Sequence, residues 1–415
     1  MRVIELGQLN RVNDIRKRKM RKRKFIFAWL LVLICLVIIS SWLYMRPLPV
    51  IKANQLTPTS ATINKSAIAW PSYGQAAIGT QEYGVLDSSG QKQPAPTASV
   101  AKITAVLSVL KQKPLELGKQ GPIITLTADD AALYDKYVEQ GGSVVPVNVG
   151  EEMSEYQMLQ AVLLPSANNL ADTLVTWAFG SMEAYLQYAN NYAKELGMGQ
   201  TNFADASGFS EQTVSNAQDL VLMGIKAMQQ PVIAEIVNQK EANLPIAGNV
   251  KNVNFLLGQN EIIGIKTGNT DAAGGCYLFA AKHKYVNGQE ITLIGAIMNA
   301  PNLQTAMQSS LPIINTGIEG FKLTKVINKD LVLGRYNLPW GGSIDAIAGN
   351  DLSLLVWKDE TPKVKVSLNQ INSKQTISSI VGTVEVQTKT SKQTVNIITK
   401  SAIPQPSWHW RLFRN

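Results

Sequence analysis

Residues 96–102 have the sequence Pro-Thr-Ala-Ser-Val-Ala-Lys, in which Ser99 stands three positions before Lys102. Apolar residues at helical spacing follow, and they predict a buried helix face: Val100, Ile103, Val106, Leu107 and Leu110. Positions i and i+3 share a helix face, so the Lys102 ammonium can reach the Ser99 hydroxyl. A lysine kept neutral by burial, or by a nearby positive charge, can act as the base that activates a serine.

This spacing alone is weak evidence for a catalytic serine, because it also fits a solvated lysine on an ordinary helix. Histidine offers no competing base: His283 is the only one between the N-terminal apolar run and the C-terminal tail, so a Ser-His-Asp triad is hard to build. The two cysteines, Cys35 and Cys276, lie far apart and predict no intramolecular disulfide. We expect neither a metal site nor another cofactor.

Short helical and strand-like runs alternate between residues 67 and 320. A helical run over 158–163 is stopped by Pro165, and another follows Ser166. Strand-like runs occur at 264–266, 276–281 and 291–298, the last two separated by the hairpin signal Asn287-Gly288.

Two more motifs follow in this region. Ser166-Ala167-Asn168 opens a helix, where Ser166 by itself fits an N-cap. Lys266-Thr267-Gly268 ends a strand-like run before Asn269, and by itself could be a turn. The order is therefore S-x-x-K, S-x-N and K-T-G, with separations of 67 and 100 residues. Chance occurrence of all three in this order is far less probable than that of one.

This triple resembles the signature of the penicillin-binding proteins and serine β-lactamases. The flanking residues are similar to those of the low-molecular-weight D-alanyl-D-alanine carboxypeptidases in five stretches: 96–102, 163–169, 206–209, 215–220 and 264–268. The resemblance implies an α+β fold, an antiparallel sheet with helices. The β-rich region beyond residue 321 resembles, more loosely, the small all-β domain that many of these enzymes carry.

The resemblance implies catalytic roles for three side chains. Ser99 would attack the carbonyl between two D-alanines and form an acyl-enzyme. Lys102 would take the Ser99 proton, and Ser166 would relay a proton to the leaving amine. The backbone N–H groups of Ser99 and Asn269 would form the oxyanion hole.

It also implies a substrate-binding set. Asn168 would hold Lys102 and the substrate backbone, Lys266 would keep the site electropositive, and Thr267 would bind the terminal carboxylate of the substrate. Gly268 would leave room for the substrate strand. Residues 47–334 contain no arginine, so no guanidinium of that region can clamp the carboxylate, and lysine must supply the positive charge.

A run without a charged residue extends over the 20 residues Phe25–Tyr44. As a helix it would span roughly 30 Å, the thickness of the hydrocarbon core of a bilayer. A cleaved signal peptide is the alternative, but its apolar region is usually shorter and small residues follow it, whereas Trp42-Leu43-Tyr44-Met45-Arg46 closes this run. We predict an uncleaved anchor in the plasma membrane.

The basic charge is concentrated in residues 1–24, where ten Lys or Arg and two acidic residues account for +8 of the net charge of +9. The nearly neutral remainder does not support a nucleic-acid partner. Basic flanks stay in the cytoplasm, so we expect a single-pass protein whose catalytic domain is extracellular or periplasmic.

Beyond residue 321, Val364, Val366 and Leu368 alternate with polar residues, which predicts strands. The tail Ser407–Asn415 is aromatic and basic, and could contact the membrane interface or pack on the β domain. The predicted organisation is 1–24 basic cytoplasmic tail, 25–45 transmembrane anchor, 46–66 linker, 67–320 D,D-peptidase catalytic domain, 321–403 C-terminal β domain and 404–415 aromatic and basic tail.

The first functional hypothesis is a metal-free D,D-carboxypeptidase of peptidoglycan biosynthesis, which acts on stem peptides and binds β-lactams. A D,D-endopeptidase would use the same residues. A β-lactamase would need a second general base, and we find no glutamate in the loop context of the class A enzymes, whose S-D-N is S-A-N here. A non-catalytic cell-wall-binding module is the alternative from a different class, and the three intact motifs argue against it.

Overall fold

The computed structural model describes residues 2–56, 67–358, 360–389 and 391–414, with side chains from residue 16 onward. The chain divides into two compact units. The α+β unit is formed by Thr62–Leu323 and Leu355–Glu360, and the β unit by Met1–Ala61, Thr324–Leu354 and Thr361–Asn415.

The helices of the described chain are α1 (Arg2–Met45), a 3-10 helix (Ala98–Ala101), α2 (Lys102–Gln112), α3 (Ala128–Glu139), α4 (Glu155–Leu163), α5 (Asn168–Phe179), α6 (Met182–Glu195), α7 (Ala217–Met228), α8 (Pro231–Val237), α9 (Leu303–Glu319) and α10 (Trp408–Phe413). The strands are β1 (Ala53–Gln55), β2 (Gln75–Thr80), β3 (Gly84–Gly90), β4 (Ala95–Pro96), β5 (Ile123–Thr125), β6 (Glu152–Ser154), β7 (Val214–Ser215), β8 (Glu241–Leu244), β9 (Gly248–Lys251), β10 (Ile262–Thr270), β11 (Gly274–Lys284), β12 (Glu290–Ala300), β13 (Phe321–Ile327), β14 (Val332–Asn337), β15 (Ser343–Ala348), β16 (Leu352–Trp357), β17 (Lys363–Leu368), β18 (Ile380–Gln387) and β19 (Lys392–Thr399).

A five-stranded antiparallel sheet in the order β10-β11-β12-β2-β3 forms the centre of the α+β unit. Successive side chains of β11 enter two different cores, because side chains alternate across a strand. Leu278 and Ala280 pack in the larger core with α2, α4, α5 and α7, whereas Tyr277 and Phe279 pack in the smaller core with α9. Both faces of the sheet are therefore covered, and β10 is left at one edge.

The predicted elements of this unit are confirmed. The helix after Ser99 is α2, the helix stopped by Pro165 is α4, and the three strand-like runs lie within β10, β11 and β12. The motif Lys266-Thr267-Gly268 lies inside β10 rather than at its end, since the strand continues to Thr270. The turn reading of K-T-G is therefore wrong.

The β unit contains a six-stranded antiparallel sheet in the order β1-β14-β15-β19-β18-β17. Its first strand is a correction to the sequence analysis, which placed residues 46–66 in a linker. Ala53–Gln55 pairs with β14, and Ile51 forms a bridge to Ile371 with only 2% of its surface exposed. The segment is short and lacks a clear period-two pattern, so the strand depends on pairing with residues almost 300 positions later. Residues 57–66 lie outside the described part.

Among the described residues, α1 is the single helix long and apolar enough to cross a membrane, over Arg16–Met45. The basic segment predicted as a tail belongs to the same continuous helix. At the other end of the chain, the short α10 packs on the β unit, where Trp410 lies edge-on against Trp340. The guanidinium of Arg414 donates to the Pro47 carbonyl at 2.9 Å.

Candidate active site

Ser99 lies in the 3-10 helix that leads into α2, and Lys102 is the first residue of α2. Lys102 Nζ lies 2.7 Å from Ser99 Oγ. Ser99 is partly exposed, whereas the Lys102 side chain is completely buried. The S-x-x-K spacing thus places a buried amine against an accessible hydroxyl.

Three oxygens surround the Lys102 amine. Besides Ser99 Oγ, it contacts Asn168 Oδ1 at 2.6 Å and the Ser207 carbonyl at 3.0 Å. Burial lowers the pKa of Lys102 to about 7, against the opposing effect of the carboxylates of Asp205 and Asp172. Burial is thus the main cause of the shift. A neutral Lys102 can accept the Ser99 proton while its own two hydrogens stay on Asn168 and Ser207.

The S-x-N motif places its two polar side chains differently. Asn168 begins α5, and its backbone N–H donates to the Ser143 carbonyl at 2.7 Å. The N-cap is Ala167, without a side-chain cap, so the N-cap reading of Ser166 is wrong. Ser166 has a left-handed backbone, with φ of 69°, and its buried Oγ has no hydrogen-bond partner in the described part of the chain. That hydroxyl is free to bond a substrate.

The K-T-G motif brings a second buried lysine to the site on β10. Lys266 is 2% exposed, and its Nζ donates to the Thr267 carbonyl at 3.1 Å. Burial, and secondly the charge of Lys102, hold the pKa of Lys266 well below its usual value. Thr267 is also buried, at 3% exposure, and Asn269 is exposed.

Gly268 also has a structural reason that the sequence did not indicate. A Cβ at this position would lie 2.9 Å from the Ser99 backbone N and 3.0 Å from Ala98 Cβ. The missing side chain therefore lets the edge strand pass directly beside the backbone of Ser99. The pairing of Gly268 with Cys276 on β11 fixes this position in the sheet register.

Sequence reasoning gave no role to Asp205, although it quoted the neighbouring stretch 206–209. The Asp205 carboxylate accepts hydrogen bonds from Ser207 Oγ at 2.7 Å, Phe209 N at 2.8 Å and Thr213 Oγ1 at 2.5 Å. This network fixes the turn that aims the Ser207 carbonyl at Lys102. Gly208 sits in that turn with φ of 72°, and a Cβ there would lie 1.8 Å from the Ala98 carbonyl oxygen.

Asp172 was also missed. It lies on α5 one turn after Asn168, is 6% exposed, and its Oδ2 accepts a hydrogen bond from Tyr137 Oη at 2.8 Å. The i+4 spacing from Asn168 was a weak signal for a shared face. No sequence pattern connected Asp172 to Tyr137, which comes from a helix 35 positions away.

The described residues contain no group of three or more His, Cys, Asp or Glu side chains that could hold a metal ion.

Comparison with known proteins identifies the family. The profile of peptidase S11, described as D-alanyl-D-alanine carboxypeptidase, matches residues 74–302, more than half of the chain. The chain belongs to this family. The family resemblance predicted from the three motifs is confirmed.

The sequence identity between this chain and individual relatives is low. The chain is 28% identical over 207 residues to the D-alanyl-D-alanine endopeptidase of Escherichia coli, covering 48% of this chain and 62% of that enzyme. It is 27% identical over 206 residues to the D-alanyl-D-alanine carboxypeptidase DacF of Bacillus subtilis, covering 48% and 51%. The matches thus span about half to three fifths of these two relatives.

The fold is similar to the crystal structure of the D-alanyl-D-alanine carboxypeptidase DacD from Francisella tularensis. The TM-score is 0.57 at 17% identity, over 84% of this chain and 97% of that one. The predicted α+β fold with a following all-β region is confirmed.

Proposed function

We propose that this protein removes the terminal D-alanine from peptidoglycan stem pentapeptides through an acyl-enzyme on Ser99, and that β-lactams acylate the same hydroxyl. The observation that carries the proposal is the 2.7 Å contact between Ser99 Oγ and the buried Lys102 amine, whose pKa is lowered to about 7. The chain's membership of the peptidase S11 family supports the same reaction. A weak nucleophile beside a base of matched pKa is the arrangement that acyl transfer requires.

In the proposed acylation step, neutral Lys102 accepts the proton of Ser99 as Oγ attacks the carbonyl between the two D-alanines. The backbone N–H groups of Ser99 and Asn269 stabilise the oxyanion. The carbon–nitrogen bond then breaks, and the leaving amine takes a proton from Ser166, which is replenished from Lys102. The buried Ser166 Oγ supports this relay, because a substrate amine would give it the hydrogen-bond partner that it lacks among the described residues. Water then hydrolyses the ester and regenerates Ser99.

Lys266 and Thr267 are proposed to bind the free carboxylate of the substrate. Burial disfavours the charged form of Lys266, and an incoming carboxylate would favour it, since an opposite charge stabilises the ammonium. The absence of arginine from residues 47–334 leaves this lysine as the suitable cation. Asn168 would orient both Lys102 and the substrate backbone, and Gly268 would keep β10 close enough to Ser99 for both sites to act on one peptide.

The apolar helix α1 is consistent with a membrane anchor. We propose that its basic end lies in the cytoplasm and that the α+β unit lies on the outer side, where peptidoglycan is found.

A D,D-endopeptidase acting on cross-links is the second candidate, because the endopeptidase of Escherichia coli is among the relatives. The test is to incubate the purified protein, with Ser99→Ala as the matched control, with a pentapeptide muropeptide and with a cross-linked dimer, and to identify the products by mass. Free D-alanine from the pentapeptide alone is the expected result, and monomers from the dimer would favour the endopeptidase.

Two outcomes would contradict the enzymatic proposal. No product from either substrate, together with no penicillin label on Ser99, would favour a cell-wall-binding module. Rapid release of hydrolysed penicillin would favour a β-lactamase.

A further inference from the structure

Behind Lys102 lies a group of buried side chains that the proposed mechanism does not use. Asp172 on α5 accepts from Tyr137 Oη at 2.8 Å, and the Tyr137 ring packs edge-on against Phe209, two positions after Ser207. Ser207 Oγ in turn donates to Asp205 Oδ2 at 2.7 Å. These side chains flank the two residues that hold the Lys102 amine, since Asp172 lies one turn after Asn168 and Asp205 binds Ser207, whose carbonyl accepts from Lys102.

Asp172 differs from Asp205, which accepts hydrogen bonds through both of its carboxylate oxygens. Asp172 is 6% exposed, and its Oδ1 is buried without a hydrogen-bond partner in the described part of the chain. Tyr137 is 3% exposed and packs edge-on against Phe209, with ring centroids 5.6 Å apart, so the tyrosine cannot move aside easily. Retaining a half-bonded carboxyl group in such a position carries a free-energy cost.

The charged and titratable groups that act on Asp172 come from three segments: α3, the loop that contains Asp205, and α2. Burial raises the pKa of Asp172 to about 6; the hydrogen bond from Tyr137 opposes this, Asp205 adds to it, and Lys136 and Lys102 oppose it. In the other direction, Asp205 and Asp172 are the two carboxylates that raise the pKa of Lys102 against its burial. Asp172 and Lys102 therefore influence each other through the protein interior, where charges are poorly screened.

We propose that Asp172, held in place by Tyr137, is a positioning residue that sets the pH range in which Lys102 can accept the Ser99 proton. The inference rests on the proposed role of Lys102 as the base. A buried anion close to the amine stabilises the ammonium, so it moves the loss of the Lys102 proton to higher pH. Tyr137 stabilises the ionised form of Asp172 by donating a hydrogen bond to it, and so maintains the anion at neutral pH.

The test is the pH dependence of Ser99 acylation. The second-order rate constant for labelling by a fluorescent penicillin would be measured on the full chain in detergent from pH 5 to pH 9. The acid limb of this profile reports the base of the free enzyme. In Asp172→Asn we expect the limb to move about one pH unit lower, the size typical for loss of a neighbouring opposite charge. Relative to its own plateau, labelling at pH 6 would then be about fivefold faster than in the wild type, because a tenfold change in the protonation constant corresponds to one unit.

Asp219→Asn is the matched control. Asp219 is also 6% exposed and accepts hydrogen bonds from Gln200 N and Thr201 Oγ1, both at 2.8 Å, but it is not among the groups that shift the pKa of Lys102. It should lower thermal stability without moving the limb.

Tyr137→Phe provides a second, independent variant that keeps the test valid if Asp172→Asn fails to fold. Loss of the Tyr137 hydroxyl lets Asp172 take up a proton at higher pH, so the acid limb of Tyr137→Phe should move to lower pH by a smaller amount than that of Asp172→Asn. The double variant should have the same acid limb as Asp172→Asn alone.

An acid limb in Asp172→Asn that coincides with the wild type, or an equal shift in Asp219→Asn, would overturn the inference. Failure of the wild-type protein to label at any pH would instead overturn the proposed function.

Discussion

Replacing Gly208 by alanine should disable the site while leaving the motif residues unchanged. Gly208 follows Ser207, whose carbonyl holds the Lys102 amine, and its φ of 72° lies in the left-handed region. The nearest atom to an added Cβ is the Ala98 carbonyl oxygen, at 1.8 Å. Ala98 immediately precedes Ser99, so any relief of this clash displaces Ser99, the proposed nucleophile, or the carbonyl that holds Lys102, or both.

Two effects set the size of the loss expected in Gly208→Ala. An alanine in the left-handed region costs about 1 to 2 kcal/mol relative to glycine. The clash adds to this, because an ordinary contact between carbon and oxygen is about 3.4 Å, and the two segments must separate by about 1.5 Å. A misplacement of about 1 Å in a site of this kind costs about 100-fold in rate. We therefore expect a reduction of at least that size in penicillin acylation.

Gly180→Ala separates these two parts. Gly180 ends α5 with φ of 83°, but no atom lies within 4 Å of an added Cβ. This variant should lose about 1 to 2 kcal/mol of stability and acylate at the wild-type rate. Both variants would be compared by thermal unfolding and by the rate of fluorescent-penicillin labelling. A Gly208→Ala protein that labels within threefold of the wild type would refute the reasoning.

Three further predictions follow from the structure. Lys266→Ala should abolish both penicillin labelling and peptide hydrolysis, because the site then lacks the cation proposed for the substrate carboxylate; near-wild-type labelling would contradict that role. Glu155 is buried with neither carboxylate oxygen hydrogen-bonded in the described part of the chain, and burial raises its pKa to about 7. The folded state therefore binds the Glu155 proton more tightly than the unfolded state does, and the stability of the protein falls as pH rises from about 4.5 to about 7. Glu155→Gln should melt a few degrees higher than the wild type at pH 8 and at the same temperature at pH 4. An equal difference in melting temperature at both pH values would exclude this cause. Ile51→Ala should cost about 2 to 4 kcal/mol of stability, whereas its exposed neighbour Val50 should tolerate alanine; equal melting temperatures would show that this segment does not stabilise the β unit.

The sequence predicted the elements of the site well because each motif is local. Ser99 and Lys102 are three positions apart on one helical segment, so their contact depends mainly on helix geometry and on the apolar face that buries it. The apolar run of α1 was predictable for the same reason, since the length and composition of one segment suffice. Likewise, the alternation of Val364, Val366 and Leu368 with polar residues directly indicated a strand of the β unit, β17.

Pairings between distant segments were not predictable in this way. The strand at Ala53–Gln55 was predicted as linker because its support comes from pairing with β14, far along the chain. The close approach of β10 to the nearby backbone, where a Cβ added at Gly268 would lie 2.9 Å from the Ser99 backbone N, could be seen only in the tertiary structure.

The sequence alone determined the family, the three motifs, and the proximity of a serine to a lysine, because these are properties of short stretches and of their order. The tertiary structure decided whether that lysine can be neutral near pH 7. Lys102 acquires a pKa of about 7 because helices and loops from separate parts of the chain bury its amine, against the opposing effect of Asp205 and Asp172. Desolvation and charge proximity are properties of three-dimensional packing, and no spacing along the chain encodes them directly.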